Sequence, residues 1–286
     1  MTDVTGVITQ VFIYPVKSCA GLSLDQSSVM ATGLTHDRDW MIVDQDGLFL
    51  TQRQVPHLCW IRPSIANNQL TLEAPGVGTL HVPIDAEGQS RQVKVWRDTV
   101  QAIDMGRDAQ QWLDEYLQIP GKAFSLVRFS DQGVRTSDQD WTQGTAYPNH
   151  FSDGFAINVL SHRALVELNE RLAETGQDPV DVLRFRPNLV LEGIDAHEED
   201  DLEGMRMDTA AGSIEIALVK PCPRCPIPNI DPHTAMSSPE VGQALAGYRA
   251  LPRMDGAICF GMNGVVKAGA GLTCHVGQPF TAHYRC

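Results

Sequence analysis

The sequence predicts an α+β fold that is mostly β, and three observations carry that expectation. Short runs of β-branched and aromatic residues recur along the chain, separated by Gly, Pro, Asn and Asp at turn positions. Two windows place apolar residues at the spacing of a helix packed on a core, while most of the rest reads as strands and turns. With 286 residues, 43% apolar and 20% charged, the chain is long enough for two units with buried cores and too apolar to be disordered.

The elements follow in order. Val7 to Tyr14 reads as the first strand, and Trp40-Met-Ile-Val, Asp44-Gln-Asp-Gly and Leu48-Phe-Leu-Thr read as a hairpin with glycine at its turn. Leu70-Thr-Leu, Thr79-Leu-His-Val and Val93-Lys-Val-Trp supply further strands. Ala109, Trp112, Leu113, Tyr116 and Leu117 share one face of a helix at about Arg107 to Leu117. Residues 130 to 148 are polar and aperiodic and predict a long mobile loop, either a linker or a lid. After Phe155-Ala-Ile-Asn-Val-Leu, Ser161 is placed to cap a helix whose Leu165, Leu168 and Leu172 face the core, with Glu167 and Arg171 paired on the other side. Strands resume at Asn188-Leu-Val-Leu-Glu, Ser213-Ile-Glu-Ile-Ala-Leu and Gly264-Val-Val-Lys. This divides the chain into a β-rich domain over 1–120 and a second domain over 121–286.

A formal charge of −13 disfavours attraction to nucleic acid or anionic lipid. The N-terminus lacks a basic region before its apolar run, which Pro15 interrupts, and no run is long enough to span a bilayer. A cytoplasmic protein is expected, with no nucleic-acid polymer and no membrane among its partners. Seven scattered cysteines (19, 59, 222, 225, 259, 274 and 286) do not form a disulfide framework, so reduced thiols are expected.

The most informative segment is Lys220-Pro-Cys-Pro-Arg-Cys-Pro-Ile-Pro-Asn-Ile-Asp-Pro. Its prolines fix φ and remove N–H donors, which predicts a stiff loop that ends the sheet ladder and holds two thiols on a rigid support. A thioredoxin-like pair would need a helix directly after it, where Pro226, Pro228 and Pro232 stand. A structural zinc would need two more ligands, and Cys274 and His275 are adjacent instead of separated. Two inert buried thiols are the bland alternative. Against it stands Arg224, whose charge favours a thiolate, a soft ligand suited to a redox metal.

Cys222-Pro-Arg-Cys followed by Asp231-Pro resembles the cysteine motif of the MOSC domain, the C-terminal domain of molybdenum-cofactor sulfurases. Tyr14-Pro-Val-Lys-Ser-Cys, Gly33-Leu-Thr-His-Asp-Arg-Asp-Trp-Met-Ile-Val-Asp with Thr51-Gln-Arg, and Arg184-Phe-Arg-Pro-Asn are similar to segments of the two-domain branch typified by the mitochondrial amidoxime-reducing component. The resemblance runs over nearly the whole chain, with the motifs in the family's order. It implies an N-terminal β-rich domain followed by a MOSC β-barrel with peripheral helices, the first strands lying against that barrel or within it.

The resemblance further implies a molybdenum-molybdopterin cofactor, with Cys225 as metal ligand and catalytic thiolate. It places Lys17, Ser18, Arg38, Ser161, Arg186, Asn188 and Arg224 at the pterin and its phosphate, chemistry that guanidinium and ammonium groups suit. The implied activity is reduction of small N-hydroxylated compounds such as amidoximes or hydroxylamino bases. A non-redox sulfur carrier or cofactor-delivery protein using Cys225 is the alternative. Asp231 and His233 are candidate proton donors by proximity in sequence. Relatives commonly carry hydroxyl residues before the Asp-Pro and a glycine after the threonine, so Pro226 to Ala235 departs from the pattern on the substrate side. There is no ferredoxin-type cysteine spacing and no Gly-x-Gly-x-x-Gly between strand and helix, so electrons are expected from a separate protein.

Overall fold

The computed structural model describes residues 4–285, and Cys286 lies outside the described residues. Seven strands close a barrel. Around the ring run Val4–Ile13, Pro279–Tyr284, Leu202–Thr209, Gly212–Pro223, Ala257–Ala268, Ile157–Ser161 and Leu189–Glu192, the last pairing again with the first. Alternate residues such as Ile8, Leu191, Met205, Ile216 and Met262 fill the interior. Ile157–Ser161 and Leu189–Glu192 form the one parallel pair of the ring. A parallel pair needs a crossover, and the helix His162–Glu174 supplies it, burying Ala164, Leu168 and Leu172 against the barrel's outer face.

Beside the barrel, Trp40–Asp44, Phe124–Phe129, Asp98–Asp104 and Ser90–Val95 form a four-stranded antiparallel sheet. Arg62–Ala66, Gln69–Glu73 and Leu80–Pro83 form a smaller one. The helix Arg107–Leu117 has the predicted bounds and buries Ala109, Trp112, Leu113 and Leu117 in the core that these sheets share. The first strand belongs to the barrel, and the chain leaves it at Tyr14 to run along the sheet, where Lys17 N–H donates to the Trp40 carbonyl at 2.8 Å. That crossing carries Lys17 and Ser18 to the seam between the two parts. No helix among the described residues is long and apolar enough to cross a membrane.

Two local expectations are corrected and one is met in part. The glycine turn forms, with Gly47 at φ 75, and Val43 and Phe49 bridge antiparallel across it, but the hairpin extends no further as a ladder and Trp40–Asp44 takes Phe124–Phe129 as its ladder partner. Four consecutive buried residues, Trp40 to Val43, mark a strand that must be covered on both faces, which a short hairpin arm cannot do. Residues 130–148 are not a free loop. A bridge from Thr136 to Pro148 ties the segment, and the Arg135 guanidinium bonds Asp98 and the carbonyls of His150, Ser152 and Asp153. Finally, the ladder does not stop before the cysteines. Gly212–Pro223 runs through Pro221 and Pro223, because register shifts at Leu218/Lys220 and Pro221/Pro223 accommodate the missing donors.

Candidate functional site

A cleft of about 230 Å³ opens where the barrel meets the four-stranded sheet. Lys17, Ser18, Arg38, Arg186, Asn188, Arg224 and Cys225 all line it. Ser161 does not. It is fully buried, its hydroxyl accepts from Ala164 N–H at 3.0 Å to cap the crossover helix, and it donates to the Asp195 carbonyl at 3.1 Å. The second serine on the wall is Ser152.

Tyr14 is the spine of the cleft. Its ring is fully buried, with the Arg38 guanidinium 4.4 Å and the Arg186 guanidinium 4.2 Å from its centre. Burial pushes its phenol pKa far up, and the hydroxyl has no partner among the described residues. Arg38 is ion-paired to buried Asp37 and donates to Asn188 Oδ1 and the Arg186 carbonyl, each at 3.1 Å. Asn188 also donates to the Phe12 carbonyl at 3.1 Å and accepts from Asn158 N–H at 3.0 Å, so it braces the wall. Ser18, Arg38 and Arg186 have φ of 67°, 53° and 55°. Holding a non-glycine residue there costs about 1 kcal/mol or more each, and such strain persists where surrounding contacts over-determine it.

The charge balance of the cleft is one-sided. Arg186 donates to the Cys19 carbonyl at 2.6 Å but forms no ion pair among the described residues, and burial together with the Arg38 charge pulls its pKa down. Arg224 bonds the carbonyls of Phe185 and Phe260 and Asn158 Oδ1, likewise without a carboxylate. Lys17, only 5% exposed, donates to the Phe151 carbonyl at 2.7 Å and pairs with Asp153. Burial lowers the Lys17 pKa to about 8 against the opposing pull of Asp153. Asp153 is the one carboxylate on the cleft wall among the described residues, and it also accepts from the Trp96 indole N–H at 3.1 Å. In a chain of charge −13, unpaired guanidinium groups gathered in one cleft fit a strongly anionic ligand such as a pterin phosphate.

Cys225 is half-buried on the same wall, immediately before the tight turn Ile227–Asn229. Arg184 ties that turn down through the Pro228 carbonyl at 3.3 Å and Asp231 Oδ2 at 2.9 Å. Cys222 lines the cleft too, but burial pushes its thiol up and outweighs Arg224, whose guanidinium faces main-chain carbonyls. The expectation that Arg224 makes a thiolate fails at Cys222 for that reason. Asp231 and His233 are not on the wall. Burial opposes ionisation of Asp231, yet the N–H groups of His233 and Thr234 and the Arg184 charge hold its pKa below the ordinary value, so it is a poor proton donor. His233 lends its carbonyl to the Trp60 indole at 3.0 Å.

Sequence reasoning missed Asp153, Trp96, Arg53 and Lys220, all on the cleft wall. The polar triplet Ser152-Asp-Gly, standing just before a strand, was the available signal for the first of them.

Residues 5–120 match the MOSC N-terminal beta barrel domain and residues 146–279 match the MOSC domain. The chain is 32% identical over 255 residues to mitochondrial amidoxime reducing component 2 of Rattus norvegicus, covering 85% of this chain and 72% of that protein. It is 32% identical over 262 residues to mitochondrial amidoxime-reducing component 1 of Mus musculus, covering 88% and 74%. Molybdenum cofactor sulfurase of Homo sapiens is 29% identical over 260 residues, covering 85% of this chain and 28% of that protein. The chain therefore belongs to the MOSC family, in the two-domain branch that includes the mitochondrial amidoxime reducing components.

Proposed function

We propose that this protein binds a molybdenum-pterin cofactor in the cleft and reduces small N-hydroxylated compounds, with electrons from a separate redox protein. The observation that carries the reading is the convergence of Lys17, Arg38, Arg186, Arg224 and a half-exposed Cys225 on one wall. The names of the similar mammalian proteins support the substrate class.

When bound, the cofactor supplies two-electron oxygen-atom exchange, and the net reaction converts the N-hydroxyl compound, two electrons and two protons into the N–H compound and water. Cys225 offers the thiolate ligand. Arg186 and Arg224, without counter-charges among the described residues, would take the anionic part of the cofactor, while Arg38, fixed by Asp37, would orient it. Lys17 holds a proton at Nζ, shared with Asp153, on the wall beside Ser18.

The test is turnover of benzamidoxime by the cofactor-loaded protein. Reduced viologen should sustain it, and NADH or NADPH alone should not. Full cofactor content with no turnover under reduced viologen would favour the carrier role instead.

A further inference from the structure

Outside the cleft, a second and more open cavity of about 630 Å³ shares Arg53, Trp96, Asp153, Gly154, Phe155 and Lys220 with it. Most charges around this vestibule are matched. Arg135 is paired with Asp98 at 2.7 Å, Arg97 lies 3.8 Å from Asp138, and Asp153 holds Lys17. Arg53 and Lys220 are different. Neither forms an ion pair among the described residues, and each lies over a tryptophan ring instead, Arg53 at 4.6 Å from Trp96 and Lys220 at 4.9 Å from Trp141.

Trp96 is a costly residue to have there. Val95 pairs with Asp98, so Trp96 and Arg97 are the two residues of a hairpin turn, and Trp96 has φ 54. Such turns favour glycine or asparagine at that position, and a bulky residue is strained. Despite this Trp96 is 44% exposed, its indole packed at a tilt against Phe49 with ring centres 5.2 Å apart and fixed by its N–H bond to Asp153. A strained, anchored and exposed aromatic at the mouth of a reactive cleft is a platform, since strain of this kind is retained where it positions a group.

We propose that this vestibule is a substrate subsite for flat N-hydroxylated compounds that also carry an anionic group, with the ring against Trp96 and the anion between Arg53 and Lys220. The proposal rests on the function inferred above and narrows its substrate class. An aromatic face with adjacent unpaired cations recognises a ring and an anion together, and a neutral ring gains only the first contact.

The experiment titrates the oxidised, cofactor-loaded protein, without any reductant, with benzamidoxime and with 4-carboxybenzamidoxime. Benzamide and 4-carboxybenzamide, which lack the N–OH bond, are run beside them. The carboxylate of each pair should bind about tenfold tighter at low salt, with the preference shrinking as salt screens it. Arg53→Gln and Lys220→Gln should each collapse that preference while retaining pterin, and Trp96→Ala should weaken all four compounds. Equal affinity within both pairs overturns the subsite, as does loss of pterin from Arg53→Gln or Lys220→Gln, which would assign those cations to the cofactor. A carboxylate preference in both pairs, without turnover of either amidoxime under reduced viologen, would keep the subsite and remove the proposed function.

Discussion

Arg38 donates to the main-chain carbonyl of Arg186 at 3.1 Å, so of two residues that carry like charges into the same cleft one fixes the backbone of the other. Of the two, Arg38 alone has a carboxylate partner among the described residues. Without an anion the pair repels, and with one the repulsion becomes affinity. In Arg186→Gln the apoprotein's stability should change by less than about 1 kcal/mol, because the lost bond to the Cys19 carbonyl is offset by relief of that repulsion. Pterin content of the purified variant should fall sharply, since a charge-assisted contact contributes about 1.5–3 kcal/mol. Calorimetry of the apoprotein and pterin fluorescence decide it. A clear fall in melting temperature with full pterin retention would make Arg186 structural.

The two cleft cysteines should separate cleanly. Cys225→Ala should abolish bound molybdenum, whereas Cys222→Ala should keep most of it, because burial holds the Cys222 thiol protonated. Elemental analysis of both variants is the measurement, and equal loss from both would show that the pair acts as a unit.

Glu199 gives a pH dependence unrelated to the cleft. Its carboxyl is fully buried, accepts from Ser161 N–H at 3.1 Å, and has its other oxygen unpartnered. Burial raises its pKa to about 7, helped by neighbouring Asp200 and opposed by Arg249. A raised acid pKa favours the protonated folded form, so its contribution is fully present below the unfolded value near pH 4.5 and is lost as pH rises through about 7. The loss is on the order of 3 kcal/mol across that window. Urea unfolding at pH 5 and pH 8 should show wild type losing about 2 kcal/mol more than Glu199→Gln. Parallel losses would mean that Glu199 is not the titrating group.

Ser161→Ala should cost about 1 kcal/mol of stability through the lost helix cap and leave molybdenum content unchanged. A variant that melts normally but is depleted of metal would return Ser161 to the cofactor site.

What the residues themselves made legible was local, and the meeting of Lys17 and Arg38 with Arg186 and Cys225 was legible only through the family resemblance. Ala109, Trp112, Leu113 and Leu117 set the first helix because a helix is written within its own residues. Ser161 shows the limit of a short motif, since one hydroxyl suits a cap and a phosphate equally well. The aromatic platform at Trp96 depends on Asp153, 57 residues away, and no periodicity reports such a pairing. The prolines around Cys222 misled for a physical reason: bulges let a strand carry residues that a regular ladder would reject.

The place of Val4–Ile13 in the barrel also governs the order in which the protein can assemble. Its neighbours in the ring are Leu189–Glu192 and Pro279–Tyr284, so both of its edges are closed in the ring only by strands that come much later in the chain. Closure over so long a loop is slow, and the waiting edges are open to mispairing. The cleft shares this timing, because Lys17 and Arg38 come from the early chain and Arg186, Arg224 and Cys225 from the late chain. The anion site therefore exists only where early and late chain have met, and any ligand that bridges the two groups of residues acts as a clasp, stabilising the closed ring more the tighter it binds.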